Sequence, residues 1–224
     1  MSTPKTKQVK VIYQTPAFRL SYPALFTPQP TLNDKPGAPD VKYSITMNFP
    51  KSTTAAALKS AKHPASNWMP TDDLKAFYGE IVKCAKANFG PDVDLNSLKL
   101  VKFRNGDAPK TNGSVDENAK GFVVIRSSSK EMPKCLRQDK TVITMENAGE
   151  IYAGCWARAI LTIAPFVKPE RGVTVYLAGV QKLADDGAFS SRPRVEDEFD
   201  AVAAEGASND AAGAGTQEKM PWDN

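Results

Sequence analysis

In the stretch VKYSITMNF, Val41, Tyr43, Ile45, Met47 and Phe49 alternate with Lys42, Ser44, Thr46 and Asn48. A period of two sends the apolar set to one face of an extended chain and the polar set to the other. This is the pattern of a strand with one face buried and one face wet. GFVVIRSS repeats it, with Val123 and Ile125 opposite Phe122, Val124 and Arg126. LKLVKFR (98–104), VTVYLAGVQKL (173–183) and an N-terminal pair, KVIYQ and FRLSYPALF, read as further strands.

Two helices interrupt the β pattern. STTAAALKSAK is expected to start at a Ser/Thr cap and to stop before Pro64. TDDLKAFYGEIVKCAKANFG carries the apolar stripe Leu74, Phe77, Ile81 and Ala85. Thr71 is its expected N-cap, Asp72 and Asp73 suit its positive end, and Gly90 with Pro91 ends it. Lys75, Lys83 and Lys86 read as its solvated face. Five or more short strands with an inserted helix are compatible with a small barrel such as the OB-fold.

Charge divides the chain unevenly. Residues 1–194 hold 28 Lys and Arg against 17 Asp and Glu, whereas residues 195–224 hold one Lys against eight acids. A basic body with an acidic tail suits a protein that handles polyanions. From Gly187 onward Gly, Ala, Ser, Asp and Glu dominate, which predicts disorder. The expected organisation is therefore a folded domain over residues 1–186 and an acidic tail over 187–224. No apolar run is long enough for a membrane span, and no signal-peptide core follows the first lysines, so an intracellular protein is expected.

Catalytic chemistry is poorly supplied. The three cysteines, Cys84, Cys135 and Cys155, are far apart and odd in number, which argues against disulfides and a cysteine zinc site. The one histidine, His63, has no evident partner in the sequence. P-loop, dinucleotide-glycine and HExxH patterns are missing. Arg104, Asn105, Gly106 and Asp107 read as a turn, since Asn-Gly favours one. No catalytic residue, metal or cofactor is expected.

Binding is better supplied. In EIYAGCWARAILTIAPF, one alternating set (Ile151, Ala153, Cys155, Ala157, Ala159, Leu161) is small and apolar. The other places Tyr152, Gly154, Trp156, Arg158 and Ile160 together. Rings interleaved with cations suit single-stranded nucleic acid, because bases stack on the rings and Lys or Arg neutralises phosphates. The alternative is that Tyr152 and Trp156 pack beneath a helix or loop.

FRLSYPALF, PK after the third strand, RNGD, YAGCWAR, and VQKL followed by EDEFD, in this order over roughly residues 9–202, resemble a family of tailed-phage single-stranded DNA-binding proteins with an OB-fold and an acidic tail. The resemblance implies a replication or recombination accessory protein that coats single strands in the cytoplasm of an infected bacterium. It points to Arg19, Tyr22, Arg104, Tyr152, Trp156, Arg158 and Lys182 as DNA-contacting candidates, to which the strand pattern adds Phe122 and Arg126. Gly154 and Gly179 are expected at bulges or close contacts. In the tail, Glu196, Asp197, Glu198, Phe199 and Asp200, or Trp222, are expected to compete for the groove or recruit replication proteins. Phe199 and Trp222 remain alternatives for the tail aromatic.

The expected fold is thus mainly β, an OB-fold-like five-stranded barrel with inserted helices and a disordered acidic C-terminal tail. The expected function is sequence-independent binding of single-stranded DNA without catalysis, with no membrane partner and with a homodimer left open. A metal-dependent nuclease on a small β scaffold is the alternative from another class, and a structural adaptor is a third.

Overall fold

The computed structural model describes residues 8–30, 40–70, 74–109 and 113–189. The strands are β1 (Val11–Gln14), β2 (Phe18–Gln29), β3 (Lys42–Pro50), β4 (Arg104–Asn105), β5 (Phe122–Ser129), β6 (Lys134–Leu136), β7 (Trp156–Phe166) and β8 (Gly172–Ala184). Five of them close a ring. β7 pairs with β2, β2 with β3, β3 with β5, β5 with β8, and β8 returns to β7. All five pairings are antiparallel except β5–β8. β1 and β6 extend the ring outward along β7 and β8.

The alternation read from the sequence sorts the ring into inside and outside. Ile45, Met47 and Phe49 of β3 are buried together with Ile125, Ala157, Ala159, Leu161, Ile163, Val173, Val175 and Leu177. Helix α1 (Ser52–Ser60) and helix α2 (Lys75–Phe89) are inserted between β3 and β4. The expected stripe of α2 holds: Leu74 just before it, and Phe77, Ile81 and Ala85 within it, are buried in the barrel core, and Tyr13 stacks on Phe77 at 4.8 Å. Gly90 closes α2 at φ 109°, a conformation that a side chain would resist.

Local differences from the sequence reading have physical causes. Residues 98–104 do not form the expected strand; only Arg104 pairs, within β4, and Lys99 makes one bridge to Gly172. Leu98, Leu100, Val101 and Phe103 all pack on the core, so both parities are drawn inward and the segment winds. Helix α1 is preceded by Lys51 rather than by a side-chain cap, and Lys51 instead pairs with Asn105 and Asp107. The expected cap of α2 at Thr71, with Asp72 and Asp73, lies outside the described residues; Leu74, at φ 66°, precedes the helix. The expected strand from Ile151 begins only at Trp156, because Gly154 (φ 111°) and the Cys155 N–H to Tyr152 carbonyl bond form a turn. The Asn-Gly turn is present, with the Asn105 side chain accepting from the Asp107 N–H at 3.1 Å. The three cysteines are buried free thiols. No helix among the described residues is long and apolar enough to cross a membrane.

Candidate nucleic-acid interface

The outside of the ring carries small polar residues, of which Ser21 and Ser44 are themselves buried. One cross-strand row runs Ala24, Ser44, Ser128, Tyr176, across β2, β3, β5 and β8, and continues to Thr162 of β7. A second row runs Ser21, Thr46, Arg126. Between Ser21 and Ala24 the β2–β3 register slips. Tyr22 lies in that slip with φ 45° and is 66% exposed. Tyr176, where the first row crosses β8, is 46% exposed. Three strand spacings separate β2 from β8, about 14 Å. Arg126, exposed, stands on the same outer face as Ser128.

Beside Tyr176 opens a groove of about 760 Å³ whose lining includes Lys42, Ser128, Lys130, Phe166, Lys168 and Thr174. The lysines come from the start of β3 and from the loops after β5 and β7. In a barrel of this kind, oligonucleotides are taken by a strand face and by the loops that flank it. Asp40 holds two of the cations, with Lys42 Nζ at 2.6 Å and Lys130 Nζ at 3.2 Å. The hydrogen bonds from Lys42 and then Lys130 keep the Asp40 carboxyl below the usual aspartate range, so it is ionised at neutral pH.

A different cleft gathers Arg19, Tyr152, Trp156 and Lys182, and it is filled by residues 185–189 of the chain itself. Trp156 Nε1 donates to Asp186 Oδ2 at 2.7 Å. The Tyr152 hydroxyl donates to Asp185 Oδ1 at 2.9 Å, and Lys182 pairs with Asp185 at 2.6 Å. Arg19 donates to the Gly154 carbonyl at 3.1 Å and the Gly187 carbonyl at 2.7 Å, and it lies 3.4 Å from Asp186. Its guanidinium sits 4.5 Å from the Phe189 ring centre, and the Phe189 N–H donates to the Ala153 carbonyl at 2.9 Å. A Cβ on Gly154 would collide with the Gly187 carbonyl oxygen, so the absent side chain is what lets the segment approach. Gly179 is likewise a close-approach position, at a register slip of β8 against β7.

His63, read from the sequence as lacking a partner, has two. Its Nδ1 accepts from the Ala65 N–H at 3.1 Å and its Nε2 lies 3.5 Å from Asp186 Oδ2. Burial pushes the Asp186 carboxyl upward, but bonds from Trp156 and Gly187 and the charges of Arg19 and His63 outweigh it and leave the pKa lowered.

The expected site residues therefore separate. Tyr22 and Arg126 lie with Tyr176 on the open face. Trp156, 1% exposed, and Phe122, 8% exposed, pack with Met69, Ala65 and Leu183 in a second apolar cluster, so in this conformation neither ring is open to a base. The covering pieces are α1 and the turn Pro64–Trp68, which form part of that cluster. Arg104 pairs with Val124, and its Nη1 is buried without a hydrogen-bond partner among the described residues. Arg158 stands farther along β7, paired with Gln181 of β8, and does not line the Tyr176 groove. Glu196, Asp197, Glu198, Phe199, Asp200 and Trp222 lie outside the described residues. Tyr176, Lys42, Lys130 and Lys168 were not singled out from the sequence. The outward parity of Tyr176 in VTVYLAG and of Lys42 in VKYSITMNF was the available signal.

Residues 9–211 match the family of the single-stranded DNA-binding protein of Enterobacter phage Enc34. Among solved structures, the single-stranded DNA-binding protein from bacteriophage Enc34 is 24% identical with a TM-score of 0.51, over 88% of this chain and 97% of that one. The same phage protein in complex with single-stranded DNA gives 24% and 0.52, over 83% and 96%. Its C-terminal truncation gives 25% and 0.52, over 83% and 95%. No curated protein matches the chain.

Proposed function

The chain belongs to the Enterobacter phage Enc34 single-stranded DNA-binding protein family, and we propose from that premise that it binds single-stranded DNA along the outer face between Tyr22 and Tyr176. Bases stack on the two exposed rings, and phosphates are neutralised by Arg126, Lys42, Lys130 and Lys168. The observation that carries this reading is the cross-strand row that brings Tyr176 beside a groove rimmed by three lysines. Exposed rings accept any base, because every base has a stacking face. Such binding needs no bond to be made or broken, so the protein acts by occupancy, in the cytoplasm of the infected host.

The Arg19–Trp156 cleft has a different task in this reading. It anchors the point where the acidic tail leaves the barrel. The tail, with eight acids in residues 195–224, competes for the groove cations or recruits replication proteins.

Titration of labelled single-stranded and duplex oligonucleotides across a salt series tests the proposal. Single strands should bind far more tightly, with log affinity falling by about 0.7 per neutralised phosphate against log salt. Equal affinity for duplex would overturn it. Magnesium-dependent cleavage of the labelled strand would favour a nuclease instead.

A further inference from the structure

Ile160 of β7 faces Gly179 of β8, whereas Leu161 faces Leu177, so Ala178 forms a bulge. A bulge re-aims the residues on either side of it. Ala178 lines the Tyr176 groove and also a second hollow of about 360 Å³. That hollow is built from two adjacent cross-strand rows. One runs Gln14, Ile160, Gly179, Lys134, and the other runs Arg158, Gln181, Leu136. Gly179, lacking a side chain, keeps the floor low between Ile160 and Lys134.

The rim is cationic. Lys134, Lys140 and Arg158 line the hollow, and no carboxylate among the described residues does. Arg158 is held in place: its Nε donates to Gln181 Oε1 at 2.7 Å. Gln181 in turn donates to the carbonyls of Arg137 at 3.0 Å and Gln138 at 3.1 Å. Arg137 is locked by a two-pronged bond to Glu150, 2.6 Å on each arm. The two outer nitrogens of Arg158 make no bond among the described residues. A guanidinium fixed in advance loses little freedom when it binds, and its planar fork fits a phosphate.

Resting on the single-strand reading above, we propose that this hollow is a second nucleotide subsite on the same strand path. One unstacked base lies on the Ile160 and Leu136 floor, and the flanking phosphates meet Arg158, Lys134 and Lys140. Along β8, Gln181 is five residues from Tyr176, about 16 Å, so only an oligonucleotide long enough to cross Ala178 fills both the first groove and the subsite. The shared wall at Ala178 favours a continuous nucleic-acid track over an acidic peptide, which would need no connection to the Tyr176 groove.

Length dependence tests this. Labelled thymidine oligonucleotides from about 4 to about 16 nucleotides span the footprints of one such barrel. In the full-length protein, affinity should rise in a second step as the oligonucleotide reaches the hollow. The doubly substituted Lys134→Gln, Lys140→Gln protein should lose that step, roughly ten- to hundredfold for the longest oligonucleotide. It should keep its affinity for the shortest, and its salt slope on the longest should fall by about 1.4. Both lysines are exposed, so the thermal midpoint should hold. Equal loss at every length, or no loss, overturns the proposal. So does a variant that keeps the long-oligonucleotide step but loses binding of a synthetic peptide of residues 195–224. If even the shortest oligonucleotide fails to bind the unaltered protein, the single-strand reading falls first.

Discussion

The indole nitrogen of Trp156 donates a 2.7 Å hydrogen bond to the carboxylate of Asp186, thirty residues along the chain. The bond joins a ring in the second apolar cluster to the segment that ends the barrel. Trp156→Ala should therefore act mainly on folding, costing about 3–5 kcal/mol in denaturant unfolding. Trp156→Phe keeps most of the packing but strands the carboxylate, and should cost about 1–3 kcal/mol. If Trp156→Ala instead leaves stability intact and weakens DNA binding, the ring is a stacking surface.

Acid should loosen the same region. The Asp186 pKa is lowered in the folded protein, so its contribution is fully present above the unfolded aspartate value of about 3.9 and fades as pH falls through the lower folded value. Thermal midpoints measured between pH 6 and pH 2.5 should fall less steeply in Asp186→Asn than in the unaltered protein. Parallel curves would assign the acid sensitivity elsewhere.

Tyr22→Ala and Tyr176→Ala should each weaken single-strand binding by about 1–3 kcal/mol. Both rings are exposed, so urea midpoints should barely move. Fluorescence anisotropy with a labelled oligonucleotide reads the loss. Unchanged affinity in both variants would remove the outer face from the DNA path.

On the proposed path, Asp40 should compete with phosphate for the groove cations. Because its carboxylate bridges Lys42 and Lys130, Asp40→Asn should tighten binding by roughly two- to fivefold at low salt. The gain should vanish near molar salt, where the screening length falls to about 3 Å. Weaker binding would mean that Asp40 positions the lysines rather than competing for them.

Deleting residues 195–224 removes eight acids and one lysine. Single-strand affinity should rise at low salt, and the gain should shrink as salt is added. A truncated protein with unchanged low-salt affinity would leave the acidic segment with recruitment or solubility alone.

The barrel was legible in the sequence because alternation reports burial directly. Ile45, Met47 and Phe49 are buried as their spacing predicts, but of the polar set Ser44 and Asn48 are buried too, and Thr46 is only half-buried. The site was less legible, since parity names a face but not what covers it. Trp156 does oppose Arg19 across β7 and β2, as an outward residue should, yet the His63 turn and residues 185–189 close over it. Nothing local to Trp156 signals a cover supplied by distant segments. Tyr176 was hidden for the converse reason. Its cations come from the start of β3 and two separate loops, and no arginine or lysine stands within five residues of it on either side except Arg171.

The backbone at Tyr22 sets two kinds of selection against each other. A tyrosine at φ 45° occupies a region that glycine enters freely, and such a conformation costs of order 1–3 kcal/mol. A library screened only for heat resistance should drift toward glycine at this position and gain midpoint. A library screened for retention of single-stranded DNA should restore the ring. Position 22 is thus where selection for durability and selection for use would pull lineages apart, although no other residue of the barrel need change.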